Sequence, residues 1–184
     1  MEDNKLLAQY LAGQESALTS LVERYQKDLY RFVYRQIGNE ADAADVTQKV
    51  FVLLFLKARQ FQGNSTFKTW LYQIALNQCK NHYRSNDRRR ESSTDEDAID
   101  FTVEDTKADD IATSERRAIL KQAISCLPEK QRLTMQLRIY HECTFAEIAE
   151  IMSSPVGTVK ASYHQAVQSL TKKLGEDTYE SAEM

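Results

Sequence analysis

The sequence predicts an all-α protein built as two small helical domains, and three features lead to this prediction. The 184 residues include only five Gly and two Pro, too few for the many tight turns of a sheet-rich fold. Apolar residues recur at helical spacing through most of the chain. An acidic stretch near the middle leaves two halves, each long enough for a modest core. We therefore predict domains at residues 1–90 and 113–175, an acidic flexible linker at 91–112 and an acidic tail at 176–184.

The first half is predicted to hold three long helices. The first runs from Glu15 to Ile37 with one apolar face, and the second runs from Glu40 to Arg59. The segment Phe61–Ser65 contains Gly and Asn, which favour a turn. Either Ser65 or Thr66 then caps a third helix that continues to about Arg84.

The second half begins after a stretch, Ser85 to Asp110, whose apolar residues are too isolated to form a core, as is typical of a linker. Four shorter helices follow, and two of them have Pro at the first turn, where a missing N–H costs nothing. They are Ser114–Ser125, Glu129–Tyr140 after Pro128, Phe145–Met152 capped by Thr144, and Val156–Leu174 after Pro155.

The net charge of −3 conceals an uneven distribution along the chain. Residues 1–90 hold 14 Lys and Arg against 9 Asp and Glu, and residues 111–174 hold nine against five. The acidic excess is confined to residues 91–110, with nine acids and one Lys, and to the tail. Both predicted domains are therefore basic, which indicates an acidic partner such as nucleic acid.

Several classes of function are excluded by what the sequence lacks. Cys79, Cys126 and Cys143 are widely spaced and form no C-x-x-C pair, so neither a zinc site nor a disulfide framework is predicted. No apolar run approaches the roughly 20 residues of a membrane span, and no signal peptide is evident. The histidines are scattered and the linker acids have no fixed geometry. We predict a soluble cytoplasmic protein with no catalytic residue, metal ligand, cofactor or small-molecule substrate.

The segment from Thr144 to His164 has the pattern of a helix-turn-helix. Ile148, Ala149 and Met152 are predicted to face inward on the first helix, and Val159 anchors the second helix after a tight turn. Such a motif offers the start of its second helix to the major groove. The candidate DNA-binding residues there are Pro155, Val156, Gly157, Thr158, Lys160, Ala161, Ser162, Tyr163 and His164.

Lys160 can reach either a guanine edge or a phosphate. From Ala161 to Thr171 the helix has no Lys or Arg, so this domain alone should bind DNA weakly. A plain helical hairpin is the alternative interpretation of the motif, and a surface position without a role is the alternative for His164.

The stretch from Phe61 to Arg90 interleaves aromatic residues with bases and amides. A groove of this composition suits unpaired nucleic-acid strands, because bases stack on aromatic rings while cations follow the backbone. Packing is the alternative for Phe67, Trp70, Leu71 and Ile74, which follow helical spacing. The candidates for binding a melted strand are Phe61, Gly63, Asn64, Ser65, Phe67, Lys68, Asn77, Lys80, Asn81 and Arg84.

Four segments in this order resemble the extracytoplasmic-function (group 4) sigma factors of bacterial RNA polymerase, which contain only regions two and four. They are DAADVTQKVF at 42–51, FQGNSTFKTWLYQIALN at 61–77, LPEKQR at 127–132, and FAEIA at 145–149 with PVGTVK at 155–160. The likeness runs from about Leu18 to Leu174. It implies a region 2 domain followed by a region 4 helix-turn-helix domain.

The resemblance also implies partners for each part. The 42–51 helix is similar to the surface that docks on the β′ clamp helices of core polymerase, which makes Asp42, Asp45, Gln48 and Lys49 candidate contacts. Lys49 departs from the acidic residue usual there. The loop at Gly63–Phe67 resembles the part that captures a flipped base of the −10 element, and the helix after Pro155 resembles the reader of the −35 element. The β flap of polymerase is a further implied partner.

Family members are usually held inactive by an anti-sigma factor, often a membrane-anchored one. We therefore predict a stress or envelope-response regulon, control by an anti-sigma factor, and sequestration at the inner membrane. Two alternatives to a sigma factor remain open from the residues. An ordinary helix-turn-helix regulator would act without polymerase, and would form a dimer on a palindromic site. A DNA-processing enzyme would need a clustered nucleophile or metal-binding carboxylates.

Overall fold

The computed structural model describes residues 2–90 and 111–180, and in this part of the chain the secondary structure is helical. For residues 87–90, 111–117 and 175–180 the description extends to the backbone alone. The helices are α1 (Glu2–Leu11), α2 (Glu15–Ile37), α3 (Glu40–Lys57), α4 (Phe67–Arg90), α5 (Ile111–Ser125), α6 (Glu129–Ile139), α7 (Phe145–Met152) and α8 (Val156–Glu180), with one 3₁₀ turn at Ala58–Gln60.

The chain divides into two compact units, as the all-α prediction with two domains required. Helices α1 to α4 belong to the first unit and α5 to α8 to the second. The boundary between the units falls within 91–110, outside the described residues, so the linker there stays a prediction.

Three helices are longer than the apolar pattern of the sequence predicts. Helix α4 continues to Arg90 rather than ending at about Arg84, and α8 continues to Glu180 rather than ending at Leu174. Helix α5 begins at Ile111, inside the predicted linker. Backbone hydrogen bonds can continue a helix beyond its last buried residue, so an apolar pattern predicts too short a helix.

Helix α1 was not predicted at all. Its residue Leu7 is 1% exposed, and it anchors α1 to the first unit by burial of its side chain. The carboxylate of Asp3 accepts a hydrogen bond of 2.6 Å from the hydroxyl of Tyr25 on α2 and pairs with Arg24. Leu7, Tyr10 and Leu11 do follow helical spacing, which is the signal that could have identified this helix.

The first unit packs α2, α3 and α4 around a core to which each contributes a buried face. Gly38 ends α2 in the left-handed conformation, with φ 78°, and its N–H bonds to the carbonyl of Tyr34. Asn39 then caps α3, since its side chain accepts from the N–H of Asp42 at 3.0 Å. This tight connection reverses the chain and fixes where α3 starts.

The second unit has a core cluster of Ala123, Ile124, Leu127, Met135, Ala166 and Leu170. Helix α8 supplies its long buried stripe and contacts the other three helices of the unit. No helix in the described parts of the chain combines the length and apolar character needed to cross a membrane.

Candidate nucleic-acid interface

The helix-turn-helix is formed by α7 and α8. Thr144 caps α7 through a capping box, in which its hydroxyl accepts from the N–H of Glu147 at 3.2 Å and its own N–H donates to Glu147 Oε2 at 2.8 Å. Ser153 ends α7 in the left-handed conformation with φ 51°. Pro155 follows at once, so the chain turns sharply into α8.

The predicted anchors of this motif are buried. Ala149 and Val159 are 6% and 1% exposed, and Ile148 is fully buried. Met152 is half-buried, and its sulfur accepts a hydrogen bond of 3.6 Å from the hydroxyl of Thr134. Helix α8 is therefore fixed against α7 through its inner face, and its first turns are presented to solvent.

Most of the −35 candidates lie on this presented surface. Exposed are Pro155, Val156, Gly157, Thr158, Lys160, Ala161 and His164. Ser162 and Tyr163 are only half-exposed. The ring of Tyr163 packs against Phe145, with 5.3 Å between centroids, and against the core cluster. A Cβ placed at Gly157 would meet no atom within 4 Å, so the outer side of α8 is open there.

The loop before α4 is the second candidate surface. Gly63 has φ 72°, a conformation that favours glycine, and Asn64 donates to the side chain of Gln62 at 3.1 Å. Thr66, rather than Ser65, caps α4, since its hydroxyl accepts from the N–H of Thr69 at 3.1 Å. Gly63 and Asn64 are exposed, whereas Phe61 and Ser65 are half-exposed.

An exposed polar stripe follows along α4. It consists of Asn77, Lys80, Asn81 and Arg84, which recur at i, i+3, i+4 and i+7 and so share one face of the helix. Lys68, at the start of the same helix, is half-buried. Two cations and two amides on one face form a surface suited to a phosphate backbone and base edges.

Phe67 is a correction to the predicted −10 contacts. Its side chain is fully buried, with its ring 5.5 Å from that of Tyr25 and 6.4 Å from that of Trp70, measured between centroids. A ring at this position cannot contact DNA while the unit is folded. The packing interpretation is confirmed for Phe67, Leu71 and Ile74, while Trp70 is half-buried beside Phe61.

The predicted polymerase contacts lie near the start of α3. Asp45, Gln48 and Lys49 are exposed, whereas Val46 and Val50 on the inner side of the same helix are buried. Asp42 is half-buried, and its carboxylate lies 3.5 Å from Nε2 of His82 on α4. His82 thus links the candidate polymerase face to the helix that carries the polar stripe, a contact the sequence did not reveal.

The same face of α3 continues as an apolar patch. Val52, Phe55 and Leu56 are 53%, 59% and 64% exposed. Helical spacing aligns Val52 and Leu56 with Asp45 and Lys49. Exposed apolar side chains that adjoin charged ones are typical of a surface that docks another protein.

Within the described residues, no three His, Cys, Asp or Glu side chains come close enough together to hold a metal ion.

Comparison with known families matches each unit separately. The sequence model of the family described as Sigma-70 region 2 matches residues 21–89, and that of the family described as Sigma-70, region 4 matches residues 117–170. These segments coincide with α2–α4 and with most of α5–α8.

Two curated bacterial proteins are similar along almost their whole length. The chain is 34% identical over 182 residues to the RNA polymerase sigma-H factor of Pseudomonas aeruginosa, covering 94% of each chain. It is 33% identical over 183 residues to the ECF RNA polymerase sigma-E factor of Escherichia coli K12, covering 95% of each.

A solved structure shares the fold. The sigma factor RpoE of Bartonella quintana, crystallised with the anti-sigma factor NepR, aligns with a TM-score of 0.70 at 19% identity. The alignment covers 85% of this chain and 96% of that one.

Proposed function

This chain belongs to the extracytoplasmic-function type of sigma-70 factors of bacterial RNA polymerase, and we propose a separate role in transcription initiation for each of its surfaces. The first unit binds core polymerase and captures the melted −10 element, and the second reads the −35 element. The chain contributes binding and strand separation and carries out no chemical step of its own. Nucleotide addition belongs to the polymerase.

Two observations carry this proposal: the polar stripe of α4, and the exposed loop at Gly63 and Asn64 that precedes this helix. Lys80 and Arg84 can neutralise phosphates of one strand, while Asn77 and Asn81 can bond to base edges. The loop carries the glycine at positive φ that lets the backbone turn beside an unstacked base. Because an unstacked base exposes its edges, a loop of this kind favours the melted strand over the duplex.

Core polymerase is assigned to the outer face of α3. Asp45, Gln48 and Lys49 supply polar contacts to the β′ clamp helices, and the adjoining Val52, Phe55 and Leu56 supply apolar area. Removal of this apolar surface from water on docking favours binding by about 25 cal/mol for each Å² buried. The second unit is assigned to the β flap.

Holding both units on one polymerase explains how weak DNA contacts become selective. When one unit is bound, the second binds its promoter element at an effective concentration set by the tether, without any new contact. Neither unit then needs high affinity on its own. A factor built in this way is inactive until polymerase binds it.

An anti-sigma factor is the proposed regulator. The fold shared with a sigma factor that was crystallised with an anti-sigma factor supports this assignment. The exposed apolar patch on α3 is a surface that such a partner can mask. We place the chain in the cytoplasm, held at the inner membrane when the partner is membrane-anchored, with a stress or envelope-response regulon as its target.

Gel filtration of the full chain with bacterial core polymerase tests the proposal. Wild type should coelute with core, and the double variant Asp45→Ala with Gln48→Ala should coelute less. Gln26→Ala, an exposed residue of α2 in the same unit, is the matched control and should behave as wild type. A dimer that elutes separately from core polymerase would instead support an ordinary helix-turn-helix regulator.

Transcription from a library of promoter sequences tests the DNA surfaces. The holoenzyme should select a pair of elements at fixed spacing, and the double variant Asn64→Ala with Lys80→Ala should bind the selected promoter but open it poorly. If that variant opened its promoter as wild type does, the assignment of the −10 surface would be wrong.

A further inference from the structure

The side chain of Asn4, on α1, joins the first helix of the chain to the loop that precedes α4. Its Oδ1 accepts a hydrogen bond of 2.7 Å from the backbone N–H of Phe67. Its Nδ2 donates to the backbone carbonyl of Ser65 at 3.3 Å. One amide therefore bonds to the backbone on both sides of Thr66, across more than 60 positions of sequence.

The bond to Phe67 satisfies a group that has no partner within its own helix. Phe67 is the first residue of α4, and N–H groups in the first turn of a helix have no partner within that helix. Thr66 caps the helix by bonding to the N–H of Thr69, so the N–H of Phe67 needs an acceptor from elsewhere. Asparagine is suited to the task because its amide is at once a donor and an acceptor.

Helix α1 is itself held firmly enough to act as a support. Leu7 is buried, and Asp3 accepts a hydrogen bond from the hydroxyl of Tyr25. The ring of Tyr25 in turn packs on Phe67, with 5.5 Å between centroids. Asp3, Tyr25, Phe67 and Asn4 thus form a closed circuit of contacts around the end of the loop.

We propose that Asn4 is a positioning residue for the −10 capture loop: it fixes the backbone at Ser65 and Phe67, and thereby the exposed Gly63 and Asn64. A pocket for an unstacked base requires its supporting groups to be held within about 0.5 Å of the productive geometry. Asn4 itself lies behind the loop and need not touch DNA. This inference rests on the proposed role of the loop in promoter melting.

Hydrogen exchange of the full chain tests the structural half of the inference without DNA. In Asn4→Ala, amides of the loop and of the first turn of α4 should exchange about fivefold to tenfold faster, as expected when one or two hydrogen bonds are lost. Amides in the middle of α2 should keep their rates. Lys5→Ala, the exposed neighbour on α1, is the control and should change neither set. Asn4→Asp keeps the acceptor for Phe67 but loses the donor to Ser65, so it should restore protection at Phe67 only.

Holoenzyme binding to a single-stranded oligonucleotide tests the functional half. The probe carries the non-template −10 sequence of a promoter that wild type has selected. Asn4→Ala should bind this strand about tenfold more weakly if each lost bond displaces the loop, with unchanged affinity for core polymerase and for −35 duplex. A general loss of folding would lower all three affinities, so the pattern separates positioning from stability.

The outcomes separate this inference from the function it builds on. Unchanged exchange in Asn4→Ala would overturn it directly. Faster exchange with normal strand binding, while Asn64→Ala binds poorly, would show that the loop acts without support from Asn4. If Asn64→Ala also bound the strand normally, the loop would have no part in capture, and both proposals for it would fall.

Discussion

Replacement of Phe67 by Leu tests whether this residue belongs to the core or to the DNA surface. The side chain is fully buried, and its ring contacts those of Tyr25 and Trp70. An aromatic pair contributes about 0.5–1.5 kcal/mol beyond its buried area. Truncation of a buried Phe to Ala lowers the free energy of unfolding by about 3–5 kcal/mol, and a Leu side chain should preserve more than half of this stabilisation. We therefore expect Phe67→Leu to lower the free energy of unfolding of the first unit by about 1–2.5 kcal/mol.

The chain provides its own probe for this measurement. Trp70 is the only tryptophan, and it lies in the first unit beside Phe61 and Phe67. Its fluorescence during urea titration reports the unfolding of that unit. With a urea m-value of about 1–2 kcal/mol per M for a unit of this size, the midpoint should fall by roughly 1 M.

Phe55→Leu makes the same chemical change at a residue of α3 that is 59% exposed, and it should leave the midpoint nearly unchanged. At urea concentrations where both variants are folded, the holoenzyme with Phe67→Leu should still bind −35 duplex and core polymerase. If Phe67→Leu unfolded at the same midpoint as Phe55→Leu but failed to open promoter DNA, the ring would be a DNA contact and the burial argument would be refuted.

The remaining predictions concern other parts of the chain. Lys160→Ala should weaken binding to the −35 duplex. If Lys160 contacts one phosphate, the magnitude of the slope of log affinity against log salt concentration should fall by about 0.9. An unchanged slope with an altered base preference would indicate a guanine contact instead. Thr144→Ala removes the capping box of α7 and should destabilise the second unit by about 1 kcal/mol, measured by circular dichroism, and a stability equal to wild type would contradict the role of the cap. Burial raises the pKa of the Cys79 thiol to about 12, so at pH 8 the exposed Cys126 should react with a thiol reagent while Cys79 reacts only after unfolding. Burial favours the neutral thiol of Cys79 in the folded state. The free energy of unfolding should therefore fall as the pH rises above 9.0, the ordinary pKa of a cysteine thiol, towards the raised pKa of Cys79.

The sequence predicted the helices whose apolar residues recur over several turns. Helices α2 and α3 and the pair α7–α8 were found because one face of each is buried, and burial imposes a period on the sequence. The starts of α3 and α7 are also marked in the sequence, since Asn39 and Thr144 are residue types that cap helices by local hydrogen bonds. Helix caps and one-sided burial can both be predicted from residues that are close together in the sequence.

What the sequence did not reveal depends on contacts between distant segments. Nothing near Asn4 indicates that its amide will meet Ser65 and Phe67, because that meeting requires α1 to pack beside α4. The burial of Phe67 was ambiguous for the same reason. An aromatic residue after a polar loop fits a nucleic-acid surface and a core equally well until the position of Tyr25 is known.

The composition of α8 explains why this chain should depend on polymerase for selective binding. Its presented face offers Lys160 and then no Lys or Arg as far as Thr171. Since phosphate neutralisation supplies a large share of the affinity of a DNA-binding helix, a single early cation on α8 should leave the second unit with weak binding. The first unit presents its DNA candidates, Lys80 and Arg84, on a helix suited to a strand that exists only after melting. On the proposed assignment each surface lacks what the other supplies, and a polymerase that binds α3 while promoter DNA is present would convert two weak contacts into one selective one.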